Sequence, residues 1–378
     1  MKRGPTLRVS TADKVDFLRR PASYGDGGRR VALIETHFAW VFLTRRHAWK
    51  LKKPLRHWPL DHRSLASRRR SCQAELELNR RLAPSIYLDV VALTVNRRGG
   101  LRLGGAGRVV DWLVKMRRLP AARMLDRALQ VGRVRDADVE AVVRLLAGFY
   151  ARARRIPGGP EAYLRRLRGR IAANRRALCA RDLHLDAARV RAVTAGQLDV
   201  LAAASGLLRA RAGRLVEGHG DLRPEHVFIG RPVCVIDCLE FSAGLRTFDP
   251  LEELAFLAIE CERLGAPRVA GSLLQHYRRL SGDEAPEALA QLYMSQRAAT
   301  RAKISAWRLR DRQILDSGRW RERVAQYLAQ AAFHLRLARA ALAADPEGSA
   351  QGPVREERRE RFARRHAAQC LSEQRRDG

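Results

Sequence analysis

Lysine is scarce in this chain. Seven lysines (residues 2, 14, 50, 52, 53, 115 and 303) stand among 73 basic residues, so 66 of the cations are arginine. Joined to abundant Ala, Leu and Val, that skew is what a GC-rich coding sequence produces. It weakens the formal charge of +33 as evidence for a dedicated nucleic-acid surface, and no recognition motif adds to it. Nucleic acid is therefore not favoured as a partner. Cysteine is also sparse: the six thiols lie at 72, 179, 234, 238, 261 and 370, and the one close pair, Cys234 and Cys238, lacks zinc-knuckle spacing. Reduced thiols are expected. No uncharged run approaches the length of a bilayer span, and Lys2 and Arg3 precede no apolar segment of the secretory kind. The expected compartment is the cytoplasm, with no membrane partner.

What is present suits a large core. At 378 residues, 46 % hydrophobic and 30 % charged, the chain can form two domains or one large bilobal one without metals or disulfides. Ser10 to Leu18 opens with a Ser-x-x-Asp cap and reads as a short helix. Residues 31–53 are rich in β-branched and aromatic side chains, broken near Thr36-His37 and Thr44-Arg46, which predicts three antiparallel strands. A helix follows over 64–82, with Glu75 on the apolar face it shares with Leu78 and Leu82. Two more strands are predicted at Tyr87–Val95 and Val109–Met116, separated by the turn RRGGLRLGGAG. Beyond Pro120 the chain is helical almost throughout, with segments expected at 121–131, 136–155, 160–180, 186–211, 250–264, 268–280, 285–310 and 318–344. The exception is 215–241, where a loop precedes two short apolar runs that suggest a hairpin.

Several residue patterns carry chemistry. His219-Gly220-Asp221-Leu222-Arg223-Pro224-Glu225-His226 has the spacing of the kinase catalytic loop H-x-D-L-x-x-x-N, in which Asp orients an acceptor hydroxyl and the last residue binds metal. Asp237 ends the run VCVID, where the second metal-binding carboxylate of such enzymes belongs. His47-Ala48-Trp49-Lys50 has the small-residue-then-lysine form of V-A-I-K, and Glu75 on the next helix is the acid to hold that lysine, although Arg68 competes for it. Between Glu217 and Glu253 eight acids face three arginines, an acidic island in a basic protein that calls for cations. Asp249 before Pro250 reads as a helix cap, and His219 as a packed scaffold.

Taken in order, ETHFAWVFL, WKLKKPL, ELELNRRLAPSIYLDVV, VKMRRLP, HGDLRPEHV and VIDCLEF with FDPLEELAFL resemble the aminoglycoside phosphotransferase-like proteins of bacteria, a protein-kinase-like family. The resemblance runs from about Val15 to about Ala344. In some relatives this domain is fused to a P-loop ATPase domain, whose GxxxxGK(S/T) signature these residues lack. Departures from the family pattern are His226 in place of Asn, which suits manganese better than magnesium, Thr36-His37 in place of a glycine-rich loop, and the second lysine, Lys52, beside Lys50.

The expectation is an α+β bilobal protein-kinase-like fold: an N-terminal lobe over 1–118 with a short helix, a five-stranded sheet and one key helix, a helical lobe over 119–345, and a charged tail over 346–378. The resemblance implies an ATP-dependent phosphotransferase acting on a hydroxyl-bearing small molecule. In that scheme Asp221 is catalytic, Lys50 and Glu75 serve the phosphates, and Met116 and Leu119 lie against the adenine. His226 and Asp237 hold Mg2+ or Mn2+. Lys50 is preferred to Lys52 because Ala48 keeps the nucleotide face clear. A nucleotide-binding pseudokinase and a basic nucleic-acid-binding or scaffold protein are the alternatives.

Overall fold

A computed structural model of the chain describes residues 9–57, 59–310 and 316–344. The charged tail expected over 346–378, with Cys370, lies outside the described residues. The fold class is α+β, and the chain divides into two compact units, one of residues 1–124 with 230–245 and the other of 125–229 with 246–378. The segment 230–245, which carries Asp237 and Glu240, thus belongs with the sheet unit although it follows the catalytic-loop motif in sequence.

The first unit begins with α1 (Thr11–Leu18), whose Ser10 accepts from the Asp13 amide while the Asp13 carboxylate accepts from the Ser10 amide, a complete capping box. The sheet is built from β1 (Ala32–Glu35), β2 (Ala39–Leu43), β3 (His47–Lys52), β4 (Tyr87–Val95), β5 (Leu101–Leu103) and β6 (Arg108–Arg117), in the spatial order β1-β2-β3-β6-β4-β5. Every pairing is antiparallel. Five strands were one too few as an expectation. Leu101–Leu103 is short and flanked by glycines, so it reads as turn, yet its Leu–Arg–Leu alternation pairs with Leu93–Val95 and sends both leucines toward the core.

Leu18, Tyr24, Phe42, Trp49, Leu51, Leu93, Val95, Val110 and Leu113 form a buried cluster on one face of that sheet. Residues 50 and 52 alternate with Trp49 and Leu51 and therefore emerge on the other face. There α2 (Leu65–Arg80) packs, started by Ser64, whose hydroxyl accepts from the Ser67 amide. Cys72, Glu75, Leu76 and Asn79 are its buried residues along with Arg68, a helical stripe that carries one acid inward. The Arg68 partner is Asp111 of β6, which also takes Lys14, so Arg68 leaves Glu75 to other cations.

The second unit is helical: α3 (Leu125–Gln130), α4 (Asp136–Arg152), α5 (Pro160–Leu178), α6 (Ala187–Ala203), α7 (Ser205–Ala210), α8 (Pro250–Arg263), α9 (Pro267–Ser281), α10 (Glu287–Arg308) and α11 (Ser317–Ala344). Where one helix was expected over 186–211, two form with a break at Ala204. Helix α8 is buried from Pro250 to Cys261, as its apolar residues on every side require. Asp249 caps it, accepting from the Leu251 amide at 3.0 Å, with Pro250 at the first helical position. Of the two apolar runs, VFIG at 227–230 contracts to the two-residue strand Val227–Phe228 in this unit, and VCVID at 233–237 to Cys234–Val235 in the first.

Candidate functional site

The residues singled out by the sequence fall into two groups of side chains, one in each unit. In the first, β3 presents Lys50 and Lys52 on one face, and α2 lays Glu75 between them. Lys50 Nζ donates to Glu75 Oε1 at 2.9 Å and to Asp237 Oδ1 at 2.5 Å. Lys52 Nζ donates to Glu75 Oε2 at 2.6 Å and to Glu240 Oε1 at 2.5 Å. One carboxylate therefore serves two ammonium groups. Burial works to lower the Lys50 pKa, but the charges of Asp237 and Glu75 outweigh it and hold the ammonium well above the ordinary lysine range. Lys52 is raised in the same way, with Glu240 and Glu75 prevailing over burial.

Asp237 adopts a left-handed backbone conformation, φ 63°, uncommon for a residue with a Cβ. Two side chains hold that turn. The Tyr87 hydroxyl accepts the Asp237 amide at 3.0 Å, and Asn79 Oδ1 accepts the Cys238 amide at 2.9 Å, while Asn79 Nδ2 donates to the Glu75 carbonyl at 2.8 Å. Asn79 and Tyr87 are both buried. Neither stands out in the sequence as a site residue, because a side chain that binds a backbone amide leaves no spacing pattern. Met116 lies on β6 with Ala48 and Tyr87 as its cross-strand partners, and Leu119 follows the strand end, half-buried.

In the second unit Glu253 of α8 fixes the catalytic-loop motif. Its carboxylate accepts the His219 amide at 2.9 Å, the Gly220 amide and the Tyr150 hydroxyl at 2.9 Å. A side chain on Gly218 would place its Cβ 2.5 Å from Glu253 Oε2, so the backbone approach depends on glycine. Burial raises the Glu253 pKa although three donors oppose it. His219 is buried and its Nδ1 accepts the Asp221 amide at 3.3 Å, a scaffold contact. Asp221 receives Arg223 Nε at 3.0 Å and Nη2 at 2.9 Å on the same oxygen, and His226 Nδ1 lies 3.7 Å from it. Burial favours the neutral acid, but Arg223, His226 and Arg301 hold the Asp221 pKa below its ordinary value. The group is an ionised carboxylate at neutral pH, able to accept a proton or a hydroxyl hydrogen bond.

The donors available to a metal are distinct. Asp237 offers a hard carboxylate whose side chain is 43 % exposed. His226 Nδ1 lies 2.8 Å from the Asp221 carbonyl, which leaves Nε2 to accept from Arg223 at 3.2 Å. A ring whose other nitrogen donates to a carbonyl is the arrangement of a ligating histidine, and a metal at Nε2 would have to displace the Arg223 contact there. Each residue thus suits a divalent ion as one ligand. Among the described residues no group of three or more His, Cys, Asp or Glu side chains gathers as a metal centre by itself. Nor is any described helix long and apolar enough to cross a membrane.

No protein-family model matches the chain. An uncharacterized protein of Mycobacterium tuberculosis is 32 % identical over 284 residues, 72 % of this chain and 54 % of its own length, and an uncharacterized protein of Mycobacterium bovis matches equally. The chain spans about half the length of the curated relatives it matches. Among solved structures, a choline/ethanolamine kinase family protein from Mesorhizobium loti superposes with a TM-score of 0.51 at 17 % identity, covering 86 % of this chain and 99 % of that one. A choline kinase from Cryptosporidium parvum superposes with a TM-score of 0.53 at 11 % identity, over 88 % and 99 %. With the antiparallel sheet, its single packed helix and the helical second unit, these likenesses establish that the chain has the protein-kinase-like fold.

Proposed function

We propose that this protein transfers the γ-phosphate of ATP to a hydroxyl of a small molecule. The observation that carries the reading is the Lys50–Glu75 ion pair between β3 and α2, the arrangement by which such folds present a lysine to nucleotide phosphates. In this reading Lys50 meets the phosphates while Glu75 keeps it in place, and the backbone near Met116–Leu119 lies against the adenine. Asp237 and His226 would each offer a ligand to magnesium or manganese, which when bound would neutralise charge on the phosphate oxygens. Asp221, kept ionised by Arg223, orients the acceptor hydroxyl and takes its proton as the oxygen forms its bond to the γ-phosphorus and the bond to the β-phosphate oxygen breaks.

Purified protein incubated with labelled ATP, Mg2+ or Mn2+ and a panel of hydroxyl-bearing metabolites tests this directly, with Asp221→Asn as control. The names of the structural neighbours suggest choline and ethanolamine as first members of the panel, and aminoglycosides follow from the sequence resemblance. Transfer by the wild type, lost on Asp221→Asn with nucleotide affinity retained, is the expected result. Nucleotide binding without transfer to any acceptor, and without a difference between the two proteins in slow ATP hydrolysis, favours a pseudokinase. No nucleotide binding at all refutes the proposal.

A further inference from the structure

The two lysines of β3 face the same carboxylate, yet their surroundings differ. The side chain of Lys52 is 2 % exposed, enclosed by Glu75 at 0 % and Glu240 at 11 %. Glu240 Oε1 also accepts from the Ser71 hydroxyl at 3.2 Å, and Ser71 Oγ lies 2.8 Å from His62 Nε2. Lys50 is more open, and its second partner, Asp237, is the exposed acid of the group. An ammonium buried between two carboxylates cannot leave without breaking both ion pairs, whereas Lys50 can exchange Asp237 for an incoming anion and keep Glu75.

We infer that Lys52 and Glu240 form a positioning and charge-balancing pair, which holds Glu75 and sets the net charge of the phosphate site, while Lys50 alone contacts the phosphates. This rests on the phosphotransferase reading above. Two ammonium groups, Lys50 and Lys52, against three carboxylates, Glu75, Asp237 and Glu240, leave one net negative charge. His62, joined to this network through Ser71, has its pKa lowered to about 4 by burial and by Lys52, and burial raises the pKa values of the neighbouring Cys72 and Tyr87, so none of the three adds charge at neutral pH. Removing Lys52 alone leaves two net negative charges where a polyphosphate must bind. Removing the charge of Glu240 alone leaves none, and removing both restores the original value. In a buried site each step alters the potential felt by the nucleotide.

The test titrates MgADP into the full chain by calorimetry, on wild type, Lys50→Met, Lys52→Met, Glu240→Gln and the double variant Lys52→Met/Glu240→Gln, each also melted thermally. Lys52→Met is expected to weaken affinity by about tenfold or more, Glu240→Gln to leave it equal or tighter, and the double variant to return to within about threefold of wild type. Lys50→Met loses affinity with no such rescue. If the double variant binds as weakly as Lys52→Met while Lys50→Met binds normally, Lys52 is the phosphate lysine and the inference is overturned. Changes confined to melting temperature, with affinity unmoved across the Lys52 and Glu240 variants, overturn it as well by leaving the pair a purely structural one. Wild type that binds no MgADP fails at an earlier point and removes the phosphotransferase reading with it.

Discussion

Tyr87→Phe isolates a single contact of the candidate site. The substitution removes one oxygen from a ring that is 1 % exposed and leaves its packing on β4 unchanged. What is lost is the acceptor for the Asp237 amide at 3.0 Å. A buried amide deprived of its partner costs about 1–3 kcal/mol. The Asp237 turn is partly solvated, which places the expected loss near the lower end, about 1–2 kcal/mol. In a protein of this size that corresponds to a fall in melting temperature of roughly 1–3 °C. The second readout is local. Asp237 occupies a left-handed conformation that its own side chain disfavours by about 1 kcal/mol, so the turn relaxes once the hydroxyl is gone and the carboxylate to which the proposed reading gives the metal is held less firmly. Calorimetric titration of MgADP into the variant is expected to show affinity reduced by about three- to tenfold, with the difference shrinking when metal is omitted. An unchanged metal dependence alongside an unchanged melting temperature would refute the role given to Tyr87.

Asp221→Asn is expected to keep nucleotide affinity near wild type and to lower transfer by about 10²–10⁴-fold, read in single-turnover assays once an acceptor is found. His226→Asn should move the metal preference of turnover from manganese toward magnesium, and an unaltered ratio of the two rates argues that His226 only braces the loop. Because the Asp221 pKa is held below its ordinary 3.8, its pairing with Arg223 contributes stability that is present above that value and lost as pH falls through the depressed one. Accordingly, the pH–rate profile should show no acid limb from Asp221 above about pH 4, and Arg223→Met should introduce one. Asp111→Asn leaves Lys14 and Arg68 buried beside a neutral amide and is expected to cost about 3–5 kcal/mol in urea denaturation.

Much of the fold was legible because local signals agreed with it. Tyr87–Val95 is a strand to the residue, and α8 begins at Pro250 after Asp249, as cap and proline require. Leu101–Leu103 was hidden by the glycines on either side, since a three-residue strand carries less signal than the turns that bound it. The pairing of Glu75 with Lys50 was anticipated from the inward face of α2 and the small-residue-then-lysine pattern, but the sequence left Arg68 as a competitor. The choice is decided by Asp111, forty-three residues away in sequence, which takes Arg68 for itself. Glu240 reads from the sequence as a weaker candidate for the surroundings of the metal, and its pairing with Lys52 depends on a return of the chain to the sheet that no local periodicity records. Tyr87 and Asn79 were read as ordinary strand and helix residues, and their contacts to backbone amides depend on tertiary placement alone.

The left-handed turn at Asp237 sets two demands on one residue that no amino acid meets together. Glycine adopts such a backbone angle with the least strain, and it has no carboxylate. Aspartate supplies the carboxylate and tolerates the angle better than most side chains, at a cost to the fold. Asp237→Gly would relieve that strain and at the same time take from the Lys50 ammonium one of its two carboxylates, so its effect on stability is the difference between those two terms. The strain at position 237 is thus borne together with the Lys50 ion pair, and in the proposed reading with the metal that the same carboxylate would hold.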